Sequence, residues 1–122
     1  FREVLIKLIK ISSDYSETPA GRYATDGDYS GQRFRDELLY PALNQYDQVE
    51  VNLDGALGYG SSFLEEAFGG LIREKKLTLT EIKEKLRITS SRMLYINRIW
   101  KYIEHAHQKV KNNAHDNLCI RI

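Results

Sequence analysis

Apolar positions along the chain recur with two periods, and the switch from one to the other marks out the elements. Residues 4–12, VLIKLIKIS, form a dense apolar run rich in β-branched side chains, which predicts a strand buried on at least part of both faces. Residues 48–54, QVEVNLD, alternate Val49, Val51 and Leu53 with Glu50, Asn52 and Asp54, the two-residue period of a strand. Residues 86–90, LRITS, predict a third. Between the strands the period lengthens. Phe34, Leu38 and Ala42 share one helical face, flanked by Leu39, Leu43 and Tyr46, and Ser30 is placed to cap that helix. Pro41 lacks an amide hydrogen and crowds the carbonyl of residue 37, so a kink or restart is expected there. Phe63, Ala67 and Leu71, with Leu64, Phe68 and Ile72, define a second amphipathic helix. Its internal Gly69-Gly70 pair would cost about 1 kcal/mol per glycine unless a neighbour, here expected to be the sheet, approaches closely. Thr80 is expected to cap a short helix over 81–86, and Ser91 to open a last one with Met93, Ile96, Trp100 and Ile103 on one stripe, widened by Leu94 and Ile99.

The remaining segments lack a period. Residues 13–31 hold Pro19, Gly21, Gly27 and Gly31 among Asp, Ser and Thr, a long stretch of turn chemistry. The tail 109–122 reads as frayed, or as an edge strand over 118–122. Strands alternating with helices imply an α/β sandwich in which helices cover a mixed sheet.

Composition narrows the classes. With 122 residues, 42% hydrophobic and 29% charged, the chain suits one globular domain. A lone cysteine, Cys119, rules out an internal disulfide and any multi-cysteine zinc pattern, and fits a cytoplasmic protein. No apolar run is long enough to span a bilayer, and 1–12 carries no cleavage pattern of a leader. Residues 1–70 hold 6 basic against 12 acidic side chains, whereas 71–122 hold 12 against 5. The two halves solvate separate helix faces, or else present a bipolar surface for a charged partner or a homodimer. Nucleic acid is disfavoured as a partner, because Arg87, Arg92, Arg98, Lys101, Lys109 and Lys111 are interleaved with a core-facing stripe and not with exposed aromatics. His105 and His107 lie about 200° apart on a helix and, with His115, make no tetrahedral site. No metal, cofactor or catalytic residue is expected: Cys119 has no paired histidine in a familiar spacing, and GYGSSF lacks the small residues of a nucleophile elbow.

Chemistry concentrates where the second strand hands over to the second helix, in VNLDGALGYGSSFLEEAFGGL. Three readings of Ser61 and Ser62 compete. Ser62 and Glu65 fit the S-x-x-E capping box, which makes Ser62 structural. A phosphate cradle has only half of its glycine pattern, and Glu65 and Glu66 in the first turn would repel an anion. A modification site needs a hydroxyl that the cap does not consume, which is Ser61, and a phosphate there would be repelled by the same glutamates.

Together with GRYATDGDYSGQRFRDELLYPAL and VEVNLDG, the block GYGSSFLEEAFGGLIRE resembles the STAS-like bacterial family of unassigned function, related in fold to anti-sigma factor antagonists. The resemblance runs from about residue 4 to 107 and implies a STAS-like domain over 1–110 with a tail at 111–122. In antagonists the serine opening the second helix is phosphorylated by a partner kinase, which binds the unmodified form. Aligned without gaps, Ser61 takes that position, although Gly60 replaces the usual acidic neighbour and Phe63 the usual glycine. The resemblance thus implies a non-enzymatic regulatory module binding a protein partner, a histidine-kinase-like ATPase or anti-sigma-like kinase, through Asp54, Gly55, Gly58, Tyr59, Gly60 and Phe63. The alternative is a small nucleotide- or anion-binding domain that uses Arg22, Ser30, Arg33 and Arg35 with the same helix start. Asp26, Asp28, Asp36 and Glu37 offer those arginines internal partners instead.

Overall fold

The computed structural model describes the backbone of residues 3–121 and the side chains of residues 3–113. Three strands, β1 (Ile6–Lys10), β2 (Gln48–Asn52) and β3 (Leu86–Thr89), form one sheet in the order β1-β2-β3. Both pairings are parallel, with Ile9 opposite Val51 and Val51 opposite Ile88. The expected α/β class holds, but the sheet is not mixed. Each strand returns through helical connections, which deliver the next strand in the same direction.

A single turn, α1 (Ile11–Asp14), follows β1, so the predicted strand ends two residues early. The helix α2 occupies residues 31–45 and α3 residues 61–73. Next come α4 (Leu79–Lys85) and α5 (Met93–Arg121). The α5 backbone carries helix through most of the tail, where a strand was one expectation, while the side chains of His115, Cys119 and residues 118–122 lie outside the described residues.

Both long connecting helices are interrupted in the same way. In α2, α-helix over Gly31–Phe34 widens to a π-helical turn over Arg35–Leu39 and resumes over Tyr40–Gln45. The restart expected from Pro41 is this resumption, with the proline in its first turn where no amide hydrogen is needed. In α3 a π-helical turn over Glu65–Gly69 sits between Ser61–Leu64 and Gly70–Arg73. Ser30 Oγ caps α2 by accepting from Arg33 N–H at 3.2 Å. The cap of α4 is Thr78, not Thr80: its hydroxyl accepts from Glu81 N–H at 3.1 Å while the Glu81 carboxylate accepts from Thr78 N–H at 3.3 Å. A reciprocal box requires a carboxylate at the third helical position, which only Thr78 has.

The core lies between one face of the sheet and the helices. Ile9, Val49, Val51 and Leu86 meet Phe34, Leu39, Phe63, Phe68, Ile99 and Ile103, all of them buried. Phe34 stands 6.0 Å from Phe63 and 6.3 Å from Phe68, ring centre to ring centre. Met93 and Leu94, expected on the core stripe of α5, are exposed, and Ile99, Ile103 and Ala106 carry it. The glycine pair packs against helices and not against the sheet: a Cβ on Gly70 would strike the Arg35 guanidinium, and one on Gly69 would meet Glu65 and the Tyr102 carbonyl.

The other sheet face is open. It bears Ile6 and Leu8 from β1, Glu50 from β2, and Arg87 and Thr89 from β3, with Thr89 Oγ1 bonded to Glu50 at 3.2 Å. Burial of β1 on both faces is therefore not found. Val4, Leu5, Ile6 and Leu8 are exposed because β1 is an edge strand beneath helices on one side only.

Candidate functional site at the carboxyl ends of the strands

In open α/β sheets, sites form beyond the carboxyl ends of the strands, where the connecting loops converge. Here Asp54 gathers those ends. Its Oδ1 accepts from Ser91 N–H at 2.8 Å and Ser91 Oγ–H at 2.9 Å, just after β3. Its carbonyl accepts from Ser12 Oγ at 3.1 Å, just after β1. The Ser91 amide, followed by its hydroxyl, holds the Asp54 carboxyl below the ordinary aspartate value. Gly55 follows at φ +97, a conformation open to glycine, and a side chain there would run into Ser12 Oγ.

The loop then descends into the core and re-emerges. Leu57 N–H donates to Glu17 O at 2.9 Å, which ties the tip to the 13–31 segment, yet the Leu57 side chain is 86% exposed. Tyr59 turns inward, donates to Leu53 O at 2.7 Å and meets Tyr95 edge-on at 5.3 Å. Burial pushes its hydroxyl well above the ordinary tyrosine value. Tyr59 and Phe63 are core residues, so of the six positions assigned to partner contact these two hold the loop up from below. Gly55 and Gly60 are exposed, and Asp54 acts as the clasp.

Gly60, not Ser62, is the N-cap of α3, and Leu64 N–H reaches its carbonyl at 3.2 Å. The Ser62–Glu65 box does not form. Glu65 is drawn to the helix flank, where Arg22 and Arg73 bind it, the latter at 2.7 Å. Ser61 and Ser62 are both exposed, and among the described residues neither hydroxyl makes a hydrogen bond.

The glutamates expected to repel an anion are compensated as well. Glu66 is 3% exposed and accepts from Arg35 at 2.6 Å, Arg73 at 3.1 Å and Arg22 at 3.3 Å. Arg35, itself 3% exposed, also donates to the Glu66 carbonyl at 2.9 Å and to Asp36 at 3.0 Å. Burial alone would raise the Glu65 carboxyl; hydrogen bonds from Arg73 and Arg22, reinforced by their charge, outweigh it and hold Glu65 below the ordinary glutamate value.

These pairings give the arginines of the alternative anion site partners within the chain. Arg22 and Arg35 serve Glu65 and Glu66, Arg33 binds Glu37 at 2.8 Å and lies 3.6 Å from Asp28, and the buried Ser30 hydroxyl is a cap. The cleft between Asp54, Gly58, Arg92 and Tyr95 measures about 110 Å³, well under the roughly 300 Å³ at which ligand pockets begin. Among the described residues no group of three or more His, Cys, Asp or Glu is placed to hold a metal ion, and no helix is long and apolar enough to cross a membrane.

Sequence reasoning missed Ser12 and took Ser91 for the start of the last helix, which begins at Met93; the roles of both serines depend on strand ends that only folding brings together. It also missed Leu57, Met93 and Leu94, the exposed apolar residues at this end of the molecule. For Leu57 a signal existed, an isolated large apolar side chain in a glycine-rich turn.

A parallel α/β domain with an uncapped serine at a helix start beside the strand ends is the class these features define. Residues 30–92, just over half of the chain, match the family model of the STAS-like domain of unknown function (DUF4325), and the chain belongs to that family. No curated protein and no solved structure matches it.

Proposed function

We propose that the protein is a non-enzymatic regulatory module that binds a protein partner at the carboxyl ends of its strands and is switched by phosphorylation of Ser61. The observation that carries this reading is the Ser61 hydroxyl, exposed and unbonded at the start of α3, at the same end as the exposed side chains of Leu57, Met93 and Leu94. Large apolar side chains exposed at one end of the molecule favour a protein over a small ligand. A phosphate on Ser61 would meet the positive end of a helix whose glutamates are already paired, so it changes the surface without unfolding what lies beneath. The partner that fits is the ATP-dependent kinase which, in the related antagonists, modifies the equivalent serine.

The test is capture of partners from source cells by tagged protein, with mass spectrometry of Ser61 before and after phosphatase. Ser61→Ala is expected to retain the partner and Ser61→Asp to release it. Equal capture by both variants, with no phosphate on Ser61 in any sample, would refute the switch.

A further inference from the structure

We infer that β1 is a self-pairing edge, across which two copies of the chain join antiparallel about a twofold axis at Ile6, extending the three-stranded sheet to six. Parallel sheets are normally covered on both faces, yet β1 leaves Ile6 61% and Leu8 56% exposed, with Val4 and Leu5 exposed just before it. Its backbone is open too. Leu5 O accepts from Gln48 N–H at 3.2 Å, so the odd-numbered residues of the strand turn their peptide groups toward β2. The peptide groups of Ile6 and Leu8 therefore point outward, and among the described residues they meet nothing beyond the β1–β2 ladder. Such an unpaired edge is a template for another strand.

The residues themselves select the register. A twofold axis through Ile6 opposes Ile6 to its own copy and Leu8 to Val4, so the apolar row on the open face meets an identical row. On the other face Lys7 lies opposite the second copy's Leu5, with that copy's Glu3 on one diagonal and its Lys7 on the other, each about 7–8 Å away between backbones, so the diagonal charges offset each other. The neighbouring registers are worse. An axis at Lys7 sets two ammonium groups directly opposite each other. An axis at Leu8 demands the Lys10 amide, which the Asp14 carboxylate already takes at 2.8 Å. An axis at Leu5 carries Leu8 past the end of the apolar run. The interface does not involve Ser61, so its test is independent of the proposed switch.

Sedimentation equilibrium of the full chain over a concentration series is expected to show a dimer. Ile6→Pro, which removes an outward amide and no bond of the internal ladder, is expected to return a monomer with an unchanged circular dichroism spectrum. The register is read by oxidation in a Cys119→Ser background. Ile6→Cys is expected to cross-link, because the Cα atoms of a hydrogen-bonded antiparallel pair stand about 5.5 Å apart, within disulfide range. Leu8→Cys is not, because its two copies would stand roughly 14 Å apart along the strands. A monomer at every concentration, or dimers insensitive to Ile6→Pro, would overturn the inference, as would equal cross-linking at both positions.

Discussion

Ser61 and Glu66 lie on one helix, little more than a turn apart, and their surroundings are opposite. Glu66 is held by three arginines in the dry contact between α2 and α3, whereas the Ser61 hydroxyl is exposed and has no partner among the described residues. Both environments have one origin. The π-helical turn at Glu65–Gly69 faces its counterpart at Arg35–Leu39, and there the glutamates meet Arg22, Arg35 and Arg73 on the flank of the helix. Withdrawn to the flank, Glu65 cannot return to cap the helix start, and the serines are left free. The lesson is that an N-terminal capping pattern competes with tertiary partners, and a buried charge network wins. An exposed cap is worth about 0.5–2 kcal/mol, whereas the network that Glu65 joins is anchored by Glu66, a buried carboxylate whose loss of partners costs about 3–5 kcal/mol.

That contrast can be broken at its strong end first. Glu66→Ala strips the buried Arg35 of its buried charge partner, leaving only the partly exposed Asp36, and should destabilise the fold by about 3–5 kcal/mol, measured by urea denaturation. If the loss stays below about 1 kcal/mol, the network is not what holds α2 to α3. Gly31→Ala comes next. Its Cβ would collide with the Phe63 carbonyl and lie 3.2 Å from the Ala67 nitrogen, both of them backbone atoms. Forcing the two helices apart should cost about 1–3 kcal/mol by the same measurement.

A smaller effect appears with acid. The Glu65 carboxyl titrates below its unfolded value in the folded protein, so the unfolded chain binds its proton first. Its contribution to stability is therefore complete above the unfolded glutamate value of about 4.3 and is lost as pH falls through the depressed folded value. Melting temperatures followed from neutral pH to pH 3 should fall less steeply for Glu65→Gln than for the parent chain; parallel curves would contradict the role given to Arg22 and Arg73. Smallest of all is Ser61→Asp. With the glutamates paired, a negative charge at the helix start should stabilise by about 0.3–1 kcal/mol at low salt, while Ser61→Ala should shift stability by less than about 0.5 kcal/mol. A clear loss of stability with Ser61→Asp would mean that the phosphate acts by melting α3.

Much of the fold is legible from local pattern. Val49 and Val51 fall on the buried face of β2 as their alternation requires, and Ser30 caps α2 because its hydroxyl lies three residues before the amide it accepts from. The candidate site is legible only in part. Ser61 stands where strand passes to helix, which the sequence marks clearly. That neither serine caps, and which of Tyr59, Phe63 and Leu57 faces out, depends on contacts with Arg73 and Tyr95 far along the chain. No window around Ser61 contains them.

Sequence alone determined the alternation of strand and helix and the position of a hydroxyl at the second helix start, because these follow from side-chain period and backbone sterics within a few residues. Tertiary structure decided what each charged and apolar side chain does. It buried Arg35 with Glu66, joined three strand ends through Asp54, and left Ile6 and Leu8 uncovered on an edge. The reason is range. Period and capping act along the chain, whereas the desolvation of a charge or an apolar surface depends on whatever folding brings against it.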